Sequence, residues 1–279
     1  VIKLLVMMMF NIKGKSSVSR KFNEALLEDQ WADIRKKRKQ TNYSNLQLID
    51  LVLMKHSKIK DYFLKGKLAG GNHPTFGIVG RLGAQQAQPE RTGLVSDADG
   101  SVVALAAAMQ LLEMAEKGAV LKGDVIITTH IATHVSITTH DPVDFMGMPV
   151  DSNTMNQYEV DQEMDAIISI DTSKGNSIVK HRGMAISPTA KEGYVLRVAP
   201  DLVSLMELAT GEPAKTFPIT TQDITEYDNG VYHFNSIMQP NVATAAPVVG
   251  LAITAKSVVP GCETGASYEN ELVDATRYA

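Results

Sequence analysis

Short apolar runs bounded by glycine and proline alternate with one long amphipathic segment in the middle of the chain. Residues 75–80, 124–129 and 165–171 have the length and the β-branched content of buried strands. Between the first two, residues 101–117 repeat apolar positions at helical spacing and are rich in alanine, which predicts a closely packed helix. Strands that alternate with helices indicate an α/β fold, a sheet covered by helices.

The rest of the chain adds weaker elements to this pattern. Residues 184–198 predict two strands broken near Pro188, residues 200–210 a helix, and residues 245–255 another buried strand. Residues 94–96 predict a short strand before Asp97, and residues 130–163 an irregular segment. The fold class we predict is α/β, with a mixed, mostly parallel sheet and helices on both faces.

We predict two parts: an N-terminal helical and basic segment at residues 1–70, packed on the main domain, and an α/β domain at residues 71–279. Residues 17–39 predict a helix that ends in a basic run at 35–39. That run is either a solvated helix face or a contact for nucleic acid or acidic lipid. The apolar run 1–10 is too short to span a bilayer, and we interpret it as a buried strand or an N-terminal arm.

Composition limits the possible partners and compartments. The chain has 279 residues, 44% hydrophobic and 21% charged, with a formal net charge of −4. This charge gives no general support for nucleic-acid binding, and we expect neither nucleic acid nor a membrane as partner. The single cysteine, Cys262, excludes an internal disulfide framework and a multi-cysteine metal site. We therefore expect a reducing, cytoplasmic location.

Candidate chemistry collects where the predicted strands end. Asp97 and Asp99 follow residues 94–96, His130 follows residues 124–129, and Asp171 closes residues 165–171. Ligands of open α/β sheets bind beyond the carboxyl ends of the strands. Aspartate and histidine suit a divalent ion such as zinc, manganese or cobalt. The candidate metal ligands are Asp97, His130, His134 and Asp171, with Asp99 and His140 as candidate catalytic residues that orient a ligand and carry a proton.

Other interpretations of these residues stay open. Asp97 or Asp99 before a helix is also typical of an N-cap, and Asp171 is also typical of a turn. His130 and His134 are four residues apart in a β-branched segment, which makes a helical histidine pair doubtful. The basic residues 180–182 could hold a carboxylate or phosphate, or form an exposed strand edge. Cys262 lies in a glycine-rich turn and is more often inert than nucleophilic.

Residues 95–108 and 123–129 resemble the zinc-dependent aminopeptidase and carboxypeptidase clan, as does the strand 168–171 that ends in Asp171. The resemblance implies a three-layer fold, two metal ions, hydrolysis of peptides or amides, and a homo-oligomer. It carries Asp97 and Asp171 over as metal ligands. Residues 80–83 stand where the clan has a metal-binding histidine, and residues 130–134 stand where it has a glutamate pair.

Residues 80–83, 93–100, 220–225 and 259–267 are similar to segments of a little-characterised bacterial family of unknown function, and this similarity runs from about residue 74 onward. Together, the patterns and resemblances predict a metal-dependent hydrolase of aminopeptidase-like fold that acts on an amide- or peptide-type small substrate. The alternative is a non-catalytic binding or assembly protein on the same scaffold.

Overall fold

The computed structural model describes residues 52–55, 61–81, 98–132, 137–138, 145–146, 150–173, 179–219, 230–231, 234–256 and 268–279. All of them belong to the second of two units into which the chain divides, Leu48–Ala279. The predicted N-terminal helix, its basic run and the apolar run 1–10 lie outside the described residues.

The described residues form the following elements. The strands are β1 (Val52–Lys55), β2 (Asp61–Leu68), β3 (His73–Gly80), β4 (Gly123–Ala132), β5 (Ile137–Thr138), β6 (Phe145–Met146), β7 (Ala166–Ser173), β8 (Gly183–Ile186), β9 (Ala190–Lys191), β10 (Tyr194–Val195) and β11 (Val248–Thr254). The helices are α1 (Asp99–Glu116), α2 (Ser152–Glu159), α3 (Pro200–Thr210) and α4 (Glu269–Tyr278), with a 3₁₀ helix at Ser236–Ala243.

One mixed sheet has a parallel centre. Its order is β1-β2-β4-β3-β7-β11-β9-β10, with β8 also paired to β11. The neighbours β4, β3, β7 and β11 run parallel. Strands β1, β2, β8, β9 and β10 are added antiparallel at the sides. All seven residues of β11 are buried, as expected for a strand covered on both faces. The predicted α/β class, a mixed sheet with a parallel centre, is confirmed.

Two glycines of β3 show that the chain packs against both faces of the sheet. A Cβ added at Gly80 would lie 2.5 Å from the Cβ of Ala104 on α1. A Cβ added at Gly77 would lie 2.5 Å from the Sδ of Met164, which follows α2. Because residues at odd spacing along a strand point to opposite faces, α1 and Met164 lie on opposite sides.

Local signals explain where the helices begin and end. The Asp151 carboxylate accepts the backbone N–H of Thr154 at 2.9 Å and caps α2. Pro200 occupies the first turn of α3, and Gly211 ends that helix in the left-handed region with φ of 72°. The buried residues of α1 include Ala104, Ala107 and Ala108, whose small side chains let the helix lie close to the strands.

Three expectations change with the structure. Strand β2 pairs with β4 over eight residues, so the sheet extends N-terminal to residue 71, where the sequence placed the start of the main domain. The segment 130–163 is not irregular throughout, because its described part contains α2 and the small β5–β6 sheet. The predicted break near Pro188 is present, but three short strands lie around it instead of two.

Candidate functional site

The carboxyl ends of the four parallel strands meet at one edge of the sheet. Gly80, the last residue of β3, is level with Thr129 on β4 and with Ile170 on β7. Arg81 follows directly, and its backbone N–H donates to the Ile170 carbonyl at 2.7 Å. Since side chains alternate between faces, His130, Arg81 and Asp171 stand in one row on the face that carries α2.

Arg81 is the central member of this row, and its charge is buried with a partner. Its guanidinium is 2% exposed, and its Nε lies 3.3 Å from Oε2 of Glu159, which is 0% exposed. Its Nη2 donates to the side-chain oxygen of Asn156. Asn156 and Glu159 are three residues apart and so share one face of α2. The Asn156 amide in turn donates to the Gln239 carbonyl of the 3₁₀ helix at 3.1 Å.

His130 belongs to the same network through Glu159. Its Nδ1 is hydrogen-bonded to Oε1 of Glu159, and the imidazole has no exposed surface. The ring of Phe63 lies 5.6 Å from the imidazole, centroid to centroid. Two residues earlier on β4, the Thr128 hydroxyl donates to the Glu159 carbonyl at 2.7 Å. Strand β4 is therefore attached to the end of α2 by side-chain and backbone contacts.

The electrostatics of the network keep Glu159 ionised. Burial raises the pKa of its carboxyl group, because the charged form loses water. The charges of Arg81 and His130, together with the hydrogen bond from His130, act in the opposite direction and outweigh burial. The pKa of Glu159 is consequently held below its usual value, and the carboxylate forms an ion pair inside the protein.

Asp171 and Asp99 are both buried, in different local settings. Asp171 lies within β7 rather than in a turn, and it is 1% exposed. Its Oδ1 accepts the Thr172 N–H at 2.7 Å, and its Oδ2 accepts the Ser236 hydroxyl at 3.3 Å. Asp99 is the first residue of α1, and the N-cap position is Ala98. The N-cap interpretation of Asp99 is therefore wrong, although a carboxylate in the first turn still suits the helix dipole.

The start of α1 is attached directly to the row. A Cβ at Gly100 would lie 2.3 Å from the Ile170 carbonyl oxygen and 2.5 Å from that of Arg81, so only glycine allows this approach. The Ser101 hydroxyl donates to the His130 carbonyl at 3.1 Å. These contacts place Asp99 beside the ends of β3, β4 and β7.

Half of the predicted site residues are described. Asp99, His130 and Asp171 lie at the same edge of the sheet. Asp97, His134 and His140 lie outside the described residues, as does Cys262. For all of these residues the roles assigned from the sequence stay predictions.

Arg182, in the basic run 180–182, has partners of its own. Arg182 donates from Nε to Glu271 at 2.5 Å, and its guanidinium lies 4.1 Å from the ring centroid of Tyr268. Burial, and then the charge of Lys215, lower the pKa of His181. A cavity of about 90 Å³ beside Arg182 is lined by Lys215 and by Glu271, so it carries both signs of charge.

Sequence reasoning missed Arg81, Asn156 and Glu159 as site residues. Arg81 follows a predicted strand as closely as His130 does, but arginine is not a metal ligand. Asn156 and Glu159 could not be recognised, because the pattern of residues 130–163 predicts an irregular segment and not α2. Asp151 could have predicted that helix, because aspartate is a preferred N-cap residue. In the structure its carboxylate accepts the backbone N–H of Thr154, three residues later.

The fold and the edge define a class: an α/β protein with a parallel-centred mixed sheet and a buried ion network at its carboxyl edge. The family model described as "Protein of unknown function (DUF1177)" matches residues 54–279. The chain belongs to this family, as the segment similarities predicted. No curated protein matches the sequence.

Solved structures with a similar chain path are peptidases and a maturation enzyme. The bottromycin maturation enzyme BotP is 14% identical with a TM-score of 0.47, covering 88% of this chain and 64% of its own. The Legionella pneumophila LapA aminopeptidase is 10% identical with a TM-score of 0.48, covering 100% and 68%. A Zn-dependent exopeptidase from Parabacteroides distasonis is 12% identical with a TM-score of 0.42, covering 92% and 88%.

These similarities assign no chemistry to this chain, because each identity is below 15% and each TM-score below 0.5. The chain also spans only about two thirds of the first two proteins. Among the described helices, none is long and apolar enough to cross a membrane.

The donor chemistry at the edge suits a metal ion at Asp171 better than at His130. Asp171 supplies carboxylate oxygens, which are ligands that zinc and manganese take in proteins. His130, in contrast, shares Glu159 with the guanidinium of Arg81, and a divalent ion there would face a buried positive charge. Within the described ranges, no group of three or more histidine, cysteine or acidic residues is arranged for a metal.

Proposed function

We propose that this chain is a metal-dependent hydrolase of an amide- or peptide-type small substrate, acting at the carboxyl edge of β4, β3, β7 and β11. The observation that carries the proposal is Asp171, a buried carboxylate at the end of a central parallel strand. Ligands of open α/β sheets bind beyond this edge. The start of α1, with Asp99, adjoins the same edge.

In this proposal Asp171 and Asp97 hold the metal, with His134 as a further ligand. When bound, zinc, manganese or cobalt supplies the Lewis-acid chemistry of hydrolysis. Ser236 and the Thr172 N–H orient the Asp171 carboxylate through the hydrogen bonds given above. Asp99 orients the ligand segment through the first turn of α1, and His140 carries a proton. Arg81, Glu159 and His130 form the rigid base beneath the site.

The experiment is the metal content of the purified chain, measured by elemental mass spectrometry after incubation with zinc or manganese. The Asp171→Asn and Asp97→Asn variants are compared with Asp201→Asn, which changes an exposed acid on α3. We expect about one or two equivalents of metal in the native chain and in the control. We expect a loss in both site variants, because amides are poorer ligands than carboxylates. Equal metal content in all four proteins would contradict the proposal.

A non-catalytic binding or assembly protein is the second candidate. The observation that favours it is Arg81, whose guanidinium occupies the middle of the row between His130 and Asp171. A native chain that is folded but takes up no metal would select this candidate. Ligand screening of the native chain against an Arg81→Gln variant would then test binding at this edge.

We also propose a homo-oligomer in a reducing, cytoplasmic setting, from the resemblance and from the single cysteine. Light scattering of the purified chain coupled to size exclusion tests the oligomer. A mass equal to one chain of 30.3 kDa across the concentration range would contradict it.

A further inference from the structure

Three metal-donor groups belong to one contact network with Arg81 at the base of the site. Glu159 and Asn156 contact the guanidinium of Arg81, and His130 contacts Glu159. Their atoms are a carboxylate oxygen, an amide oxygen and an imidazole nitrogen. Nitrogen and oxygen donors of these types suit borderline divalent ions. Arg81 is also among the largest fully buried side chains that the structure describes.

The charges around Arg81 explain why the donors require a cation. Glu159 has no exposed surface, and an isolated carboxylate is strongly disfavoured in such a place. Arg81 supplies a permanent positive charge against it, since guanidinium does not lose its proton in proteins. A divalent ion in the same place would meet a second fixed cation within a few ångströms, and the single negative charge of Glu159 would not balance both.

We propose that Arg81 is the built-in cation of the donor set His130, Glu159 and Asn156, so that this set excludes metal ions in the native chain and gains a metal site when Arg81 is removed. His130 is then a residue that positions Glu159 and not a metal ligand. The proposal rests on the contacts of Arg81 and does not require that Asp171 bind a metal.

The test is the thermal midpoint of unfolding with and without zinc, for four proteins. Arg81→Ala removes the guanidinium and leaves room for an ion. Arg81→Lys keeps the charge. The double variant Arg81→Ala/His130→Gln removes the charge and one donor, and the native chain is the reference. Any metal held elsewhere is common to all four proteins, so it does not affect the comparison.

Zinc at about 100 times its Kd should raise the thermal midpoint of Arg81→Ala by roughly 5–10 °C. We expect this zinc-dependent rise in Arg81→Ala alone. Arg81→Lys should show only the response of the native chain, because its ammonium still occupies the donor set. The double variant should lose most of the zinc-dependent rise, since the imidazole of His130 is the strongest neutral donor of the set. Arg81→Gln repeats the measurement if the alanine variant does not fold.

Two results would overturn the proposal. The first is no zinc-dependent rise in Arg81→Ala or in Arg81→Gln, and a protein that stays unfolded at every zinc concentration counts as showing none. The second is a native chain that contains metal and loses it on His130→Gln, since His130 would then be a ligand beside Arg81. A native chain without metal would contradict the proposed hydrolase but would leave the four-protein comparison fully informative.

Discussion

Replacing Gly100 by alanine tests how α1 is attached to the carboxyl edge. Helix propensity alone predicts stabilisation, because alanine is favoured over glycine in helices by about 1 kcal/mol. The structure predicts the opposite sign. The added Cβ would lie 2.3 Å and 2.5 Å from two carbonyl oxygens, and both belong to the backbone at the strand ends.

The magnitude follows from the distances. Ordinary contact begins near 3.4 Å, so α1 must move by about 1 Å to accept the methyl group. Overpacking of this kind costs about 1–3 kcal/mol, and two rigid backbone neighbours place Gly100 at the upper end of that range. After subtraction of the propensity gain, we expect a net loss of about 2 kcal/mol in the free energy of unfolding.

The assay is urea denaturation followed by circular dichroism, with Gly118→Ala as the matched control. Gly118 has φ of 89° and no atom within 4 Å of an added Cβ. Gly118→Ala should therefore lower the free energy of unfolding by about 1 kcal/mol through backbone strain alone. For Gly100→Ala we expect a midpoint lower by about 0.7–1 M. A midpoint equal to or above that of the native chain would refute the close approach of α1 to β3 and β7.

Three further predictions concern the network and its supports. The pKa of Glu159 is lowered in the fold, so its ionised form stabilises the fold above the unfolded pKa of about 4.3, and this stability is lost as the pH falls toward the folded pKa. Glu159→Gln should therefore flatten the pH dependence of the urea midpoint between about pH 5 and pH 3. An unchanged slope would contradict this. Asp151→Ala should lower stability by about 1 kcal/mol through loss of the cap to Thr154, whereas Asp151→Asn should retain most of it in the same titration. Tyr278→Phe should cost about 1 kcal/mol, because its hydroxyl donates to the Leu202 carbonyl at 3.2 Å, and no loss would show that water replaces that bond.

The parallel centre of the sheet could be predicted because its elements carry strong local signals. The run that became β7 is apolar and β-branched, and the alanine-rich run that became α1 lies between two such strands. Because Asp171 and His130 stand at the ends of such strands, the sequence predicts that they lie at one edge of the sheet. Strand β2 was missed because its alternation includes Lys65 and Lys67, which resemble a solvent-exposed segment until β4 is seen to pair with it.

The charge network could not be predicted because its members are far apart in the chain. Arg81 and Glu159 are brought together by strand order and by a short helix in which three polar residues, Ser152, Asn156 and Glu159, are buried beside a single apolar one, Met155. Such a helix has no apolar stripe to indicate which face is inward. The sequence pattern gives the position of His130 at a strand end, but it does not give the neighbours of the imidazole, Glu159 and Phe63.

The measurement that tests the central claim most directly is anomalous diffraction from crystals of the native chain grown with zinc. We predict a zinc peak about 2.0–2.2 Å from a carboxylate oxygen of Asp171, and no peak at coordinating distance from His130. A zinc ion bound to His130 would contradict the role given to Arg81, and full zinc occupancy elsewhere with none at Asp171 would contradict the assigned site.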